Sequence, residues 1–353
     1  MKILITGGAG FVGGNIAISL AGSGHDVTCL DNLVRRGSEF NVHRFYNHNN
    51  INFIHGDIRC AEDLAGLGIS PDIVLECSAQ TTAVDGYTNP SFDFTNNTVG
   101  LVNVLEFCRK KRAGLIFWST NKVYSGDICN SPPIFENETR LEWDNTENFQ
   151  MPGWSCEGFS EKIDLNGGNH TIYGVTKSTS DLLCQEWSSA FDIPVIINRF
   201  SCLYGPNQFG MVSQGWVMWL MLAKLLELPL AYYGFAGKQV RDCLYIDDVI
   251  RLIKLQIDNI HNHRGSYYNV GGGRKNSTSI RELNDRLDLM LGITSDVVHK
   301  APRRADQKIF ISDNTKVMKN FDWRPEVDLD EGLSLTLEWA ISNADKFRWL
   351  KEK

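Results

Sequence analysis

Along the first two hundred residues, short apolar runs alternate with longer stretches in which apolar residues recur every three or four positions. The runs are "KILITG" (2–7), "DVTCLD" (26–31), "INFIHGD" (51–57), "DIVLECSA" (72–79), "GLIFWST" (114–120) and "IPVIINRF" (193–200). Runs of this length predict strands, and the near-continuous ones predict strands covered on both faces. Stretches such as 12–23 and 96–112 carry helical periodicity instead. Strand–helix alternation predicts an α/β fold, a Rossmann-like doubly wound parallel sheet. Residues 126–169 break the rhythm. They are polar, with Asn, Glu, Gly and Pro prominent, and read as an ordered excursion over a cleft. Beyond residue 200 the pattern is shorter and mixed, with "YYNVGGG" (267–273) and a periodic helix over 279–291. No repeat, low-complexity tract or flexible linker separates the halves. The expectation is therefore a first domain over 1–200 and a smaller mixed α/β substrate-binding lobe over 201–353, interleaved with it.

Composition narrows the function. The 353 residues are 42% hydrophobic and 22% charged, as in a soluble globular protein. A formal net charge of -7 gives no electrostatic support to nucleic-acid binding. The apolar start, "MKILITGG", is too short for a signal peptide or a membrane span, and no later run is long enough. The nine cysteines are odd in number and form no C-x-x-C pair, which predicts reduced thiols and a cytoplasmic location. "HNH" (261–263) offers two histidines without a third ligand and reads as a surface loop, so no metal is expected.

The chemistry begins at "ILITGGAGFVGGNIAISL", which sets Gly7, Gly10 and Gly13 between the first strand and its helix. A helix N-terminus offers unpaired N–H groups to a phosphate, and glycines let the backbone approach a pyrophosphate closely. Asp31 ends the second strand about 20 residues on, where a carboxylate accepts from an adenosine ribose and repels a 2′-phosphate. That favours NAD over NADP, although Arg35 and Arg36 follow closely. Asp57 in "HGDI" reads either as an adenine contact or as a helix cap.

"HTIYGVTKS" (170–178) then places Tyr173 and Lys177 four apart, on one face of a helix. By itself the pair is unspecific. Ser119 and Thr120 end the fifth strand, at the edge where open α/β sheets hold ligands. A glycine turn, a strand-end hydroxyl and a Tyr-x-x-x-Lys helix in this order point to proton transfer coupled to nicotinamide redox chemistry. A free tyrosine titrates near 10, and a neighbouring ammonium and an oxidised nicotinamide both favour its phenolate.

These residues, with Asn97 and "GKQVRDCLYIDDV", resemble the extended short-chain dehydrogenase/reductase superfamily of nucleotide-sugar epimerases and dehydratases. The resemblance covers nearly the whole chain. "STNKVY" (119–124), "NQFGMVSQGWVMW" (207–219), "GKQVRD" (237–242) and "RADQKIFISD" (304–313) are similar to its CDP-paratose (CDP-tyvelose) 2-epimerase subgroup. The resemblance implies that Thr120, Tyr173 and Lys177 are catalytic. It implies an NAD site lined by Gly7, Gly10, Phe11, Val12, Gly13, Asp31, Asn32, Asp57, Ile58, Ser78, Ala79, Gln80, Asn97 and Lys177. It implies substrate contacts from Thr120, Asn121, Ser201, Gln208, Gln214, Arg241 and Arg304, the two arginines facing a nucleotide diphosphate. As single residues, those arginines read equally well as ion-pair partners.

Two departures stand out. Thr171 and Ile172 replace the usual Ser-Pro before the tyrosine, and "ECSAQ" (76–80) replaces a His-Ala-Ala or Leu-Ala-Gly type of segment. The implied reaction inverts C2 of a CDP-3,6-dideoxyhexose through a 2-keto sugar. Inversion at C4 of a UDP- or dTDP-hexose uses the same three residues. A 4,6-dehydratase wants an acid and a carboxylate after the threonine, where this chain has Asn121 and Lys122. A non-enzymatic NAD sensor has little need of the Tyr–Lys pair. The superfamily's pairing of helices over 97–112 and 173–190 implies a homodimer or homotetramer.

Overall fold

A computed structural model describes residues 1–82, 84–145 and 148–352. The chain forms two compact units. The first comprises Met1–Val123, Ile172–Arg199 and Val249–Tyr268; the second comprises Tyr124–Thr171, Phe200–Asp248 and Asn269–Lys353. The segment 126–169 thus groups with the second unit, and 249–268 returns to the first.

The first unit opens with β1 (Lys2–Thr6), α1 (Phe11–Gly22), β2 (Asp26–Asp31), α2 (Ser38–Phe45), β3 (Ile51–His55), α3 (Ala61–Ala65) and β4 (Ile73–Glu76). Then come α4 (Pro90–Phe94), α5 (Gly100–Lys111) and β5 (Gly114–Thr120). Strands β1 to β5, with Val195–Phe200 and Ser266–Val270, build a seven-stranded sheet. Its order is Ser266–Val270, Val195–Phe200, β5, β4, β1, β2, β3. β1 pairs in parallel with both β2 and β4, so the order reverses between β1 and β4. Open α/β sheets bind ligands at the carboxyl ends of strands beside such a reversal.

The expected strands are all present, and the core follows from their pattern. β4 and β5 are buried along their whole lengths. Leu101, Val104, Leu105 and Cys108 of α5 repeat at i, i+3, i+4, i+7 and pack with Leu4, Val74, Leu115 and Ile197 of the sheet. Each such aliphatic side chain contributes roughly 1.5–3 kcal/mol by leaving water. The 96–112 periodicity resolves differently from one helix. Pro90 starts α4 under an Asn89 cap, whose side chain accepts from Phe92 N at 3.1 Å. A π-type turn, Thr95–Val99, then widens the coil before α5. The widening turns Asn96, Asn97 and Thr98 inward, and all three are buried.

The second unit is mixed α/β. Val240–Tyr245 pairs in parallel with Cys202–Tyr204 and Ile309–Phe310 and antiparallel with Ser277–Ser279. Ser279 and Glu282 form a capping box at the Ile280–Leu291 helix. The polar segment is held by aromatics: Trp143 packs edge-on against Trp154 and Phe159, and Phe159 stacks on Phe310 at 5.4 Å.

Candidate active site

The glycine turn lies where β1 meets β4. Gly7 has φ +63, and a Cβ there would stand 2.7 Å from the backbone of Ser78 just past β4. A Cβ on Gly13 would stand 2.4 Å from Gly7 O. Both positions exclude a side chain. α1 starts at Phe11 and Val12 behind Gly10, which is extended and supplies no side-chain cap. No acidic residue sits in the first turn, so its N–H groups are left for an anion. Asp31 closes the other edge. Its carboxylate accepts from Ala9 N at 3.0 Å and Leu33 N at 2.8 Å, which fixes it beside the turn, and burial pushes its pKa up. Arg35 donates to Thr81 Oγ1 at 2.8 Å. These features fit a dinucleotide: a side-chain-free cradle, an uncapped helix end and a fixed carboxylate.

The flanking candidates divide by what they already bind. Asn32 Nδ2 donates to Asp57 Oδ2 at 3.0 Å, and Arg59 pairs with the same carboxylate at 2.6 Å, holding its pKa down at about 2. Ile58 is a core side chain, and its carbonyl accepts from Asn103. Asn97 clamps the loop after β4: its Oδ1 accepts from Gln80 N at 2.8 Å, and its Nδ2 donates to Thr176 Oγ1 at 3.1 Å. Ser78 donates to Glu76 at 2.5 Å. Ala79, between them, is half-buried.

The three catalytic candidates come together in the first unit. The Ile172–Phe191 helix starts one residue before Tyr173, so its first turns carry Tyr173 and Lys177 on one buried face. Thr120 ends β5, with its hydroxyl near enough to the Tyr173 phenol to favour the phenolate. Asn121 Oδ1 lies 3.3 Å from the same hydroxyl, which also accepts from Lys122 N at 3.2 Å. Lys177 Nζ donates to Trp118 O at 2.6 Å and lies 4.2 Å over the Phe117 ring.

The charge balance differs from the expectation that the ammonium would lower the phenol. In the polypeptide by itself, burial wins and pushes Tyr173 up to about 12, with Asp93 adding to the rise. Burial also lowers Lys177 to about 8. Asp93 was not evident from the sequence, because an Asp one turn after a helix-starting Pro reads as a partner of the helix end. It is fully buried, neither carboxylate oxygen has a hydrogen-bond partner among the described residues, and burial raises it to about 6.

The substrate candidates other than Thr120 and Asn121 belong to the second unit. Arg241 donates to Asp306 at 2.8 Å and is an ion-pair partner there. Arg304 is exposed. Ser201 donates to Asp242. Gln208 is buried and donates to Leu203 O at 3.1 Å, while its Oε1 lacks a partner among the described residues. Gln214 precedes Gly215, whose φ of +74 caps the Trp216–Leu225 helix. Among the described residues, no group of three or more His, Cys, Asp or Glu is placed to hold a metal, and no helix is long and apolar enough to cross a membrane.

Comparisons with known proteins give the family. Residues 3–271 match the NAD dependent epimerase/dehydratase family. The chain is 33% identical to the CDP-paratose 2-epimerase of Salmonella typhi, over 97% of this chain and all of that one. It superposes on the Thermotoga maritima UDP-glucose 4-epimerase, solved with UDP-glucose, with a TM-score of 0.79 at 26% identity over 97% and 99% of the two chains. The Bacillus anthracis dTDP-glucose 4,6-dehydratase, solved with NAD, gives 0.77 at 25% identity over 98% of each.

Proposed function

This chain belongs to the NAD dependent epimerase/dehydratase family, and from that membership we propose that it is a nucleotide-sugar epimerase inverting C2 of a CDP-3,6-dideoxyhexose, as between CDP-paratose and CDP-tyvelose. The observation that carries the chemistry is the Tyr173 phenol beside the strand-end Thr120 hydroxyl, with Lys177 one turn on. The full-length similarity to a CDP-paratose 2-epimerase supports the substrate. Asn121 and Lys122, where a dehydratase wants an acid and a carboxylate, support epimerisation over dehydration.

NAD, held by the glycine turn and Asp31, supplies a reversible hydride acceptor for the sugar carbon. The residues manage the proton. Thr120 orients the sugar hydroxyl toward Tyr173. Tyr173 takes the hydroxyl proton as the carbon becomes a ketone, keeps it while the sugar turns over, and returns it to the same oxygen. A phenol at about 12 must fall by roughly five units to act near neutral pH, about 7 kcal/mol at ~1.4 kcal/mol per unit. That value is reached with Lys177 already in place, so the further positive charge would come from the oxidised cofactor that the glycine turn and Asp31 would hold. Arg241, Arg304, Gln208 and Gln214 are the proposed contacts to the nucleotide diphosphate and sugar. Val175 and Leu182, exposed seven residues apart on one face of the Ile172–Phe191 helix, support pairing of this face with a second copy.

The test is a panel of CDP-, UDP- and dTDP-hexoses, each carrying deuterium at C2 or at C4, with the product stereocentre read by NMR. Inversion at C2 of a CDP-sugar with the label kept is the expected result. Loss of the label to water would instead require a base acting beside a carbonyl. Inversion at C4 would overturn the substrate assignment and leave the proton chemistry standing.

A further inference from the structure

The carboxylate of Glu76 is a buried group that no step above uses. It ends β4 at 2% exposure. Register places Thr6 of β1 on one side of it and Phe117 of β5 on the other. Register partners in a parallel sheet carry their side chains on the same face, with strands about 4.8 Å apart. Thr6 Oγ1 donates to one carboxylate oxygen, and Ser78 Oγ donates to the other at 2.5 Å. One strand away on the same face, the Lys177 ammonium lies 4.2 Å over the Phe117 ring.

We propose that Glu76 is a positioning residue, the counter-charge that keeps Lys177 protonated for its work on Tyr173. The inference deepens the reading given above and rests on it for what Lys177 does.

Burial lowers Lys177 to about 8, and Glu76 is the leading group opposing that fall. The other groups acting on Lys177 are less available. Asp181 is bound by Arg199 at 2.9 Å, Ser119 at 2.8 Å and Gln185 at 2.8 Å. The Cys77 and Cys184 thiols are pushed far up by burial and stay neutral. Burial also pushes Glu76 up, while the Ser78 and Thr6 donors favour its ionised form. An opposite charge is worth roughly 1–3 pKa units when it stands within about 4–6 Å. Losing it would carry Lys177 from about 8 toward or below neutrality, leaving much of the protein without the ammonium.

The experiment labels lysine with 13C at Cε, assigns Lys177 by the resonance missing from K177M, and titrates it by NMR. Glu76→Gln keeps the side chain's shape and a carbonyl acceptor but loses the charge. The expected midpoint is about 8 in the wild type, lower by about one unit or more in E76Q, and near the wild-type value in Glu76→Asp. The alkaline limb of the pH–rate profile should move down with it in E76Q and recover in E76D. An unmoved midpoint in folded E76Q overturns the proposal. Should E76Q not fold, Ser78→Ala and Thr6→Val remove the donors that favour the carboxylate. A lowered Lys177 midpoint in either then supports the proposal, and unmoved midpoints in both overturn it. Because the titration needs no turnover, a shifted midpoint in a protein inactive on every nucleotide sugar would sink the proposed function and leave this electrostatic inference standing.

Discussion

Tyr173→Phe removes one oxygen from a side chain that is 8% exposed, and its two consequences should separate widely. The catalytic one is large. A positioned acid–base group is worth about 10²–10⁴ in rate, or roughly 2.7–5.4 kcal/mol of barrier. The structural one is small, because the ring stays and only the phenol oxygen's interaction with Thr120 is lost. The Thr120 hydroxyl keeps Asn121 Oδ1 and Lys122 N as neighbours, so it is not stranded, and the net cost is about 1 kcal/mol. At roughly 2–4 °C per kcal/mol for chains of 150–250 residues, Tm should fall by a few degrees at most. The assay pairs calorimetric Tm and NAD content with turnover of the nucleotide sugar. The expected result is near-native melting and cofactor content with turnover down at least a hundredfold. More than about a tenth of the wild-type rate, in a protein that melts normally, would refute the proton-transfer role.

Gly13→Ala pushes a Cβ to 2.4 Å from Gly7 O, so the purified variant should carry far less NAD, measured in the denatured supernatant. Asp181→Ala leaves the 2%-exposed Arg199 charge without its carboxylate, at about 3–5 kcal/mol; the melting temperature should fall on the order of 10 °C. Asp93→Asn tests a pH dependence. The folded pKa of about 6 lies above the ordinary carboxylate value, so the wild type loses stability as pH rises through about 6, while the amide has no charge to bury. The Tm advantage of Asp93→Asn should therefore grow between pH 5 and pH 8, and a flat difference would refute the burial argument.

The parts of the site legible in the sequence were those where residue type and local geometry are tied together. Gly7, Gly10 and Gly13 announce a turn because backbone crowding leaves no alternative, and the four-residue spacing of Tyr173 and Lys177 survives any error in helix boundaries. Glu76 was hidden because a carboxylate at the end of a strand reads as facing water. Its signals were a charged residue ending the apolar run "IVLE" and the departure at "ECSAQ". The widened turn at Thr95–Val99 left no mark, since a π-type coil uses the same residues as an α-helix. In 126–169 the polar average masked Trp143, Trp154 and Phe159, whose irregular spacing has no period and which meet only in three dimensions.

The order in which the sheet is stitched together matters while the chain is being made. β5, "GLIFWST", is buried along its whole length, and its outer edge is covered by Val195–Phe200, which emerges some 75 residues later. At synthesis rates of 5–20 residues per second, the nascent chain carries an unpaired apolar edge for several seconds or longer. Such an edge is a template for pairing with a neighbouring chain. Nascent chains in which β5 has emerged and Val195–Phe200 has not are thus the ones a chaperone would need to shield.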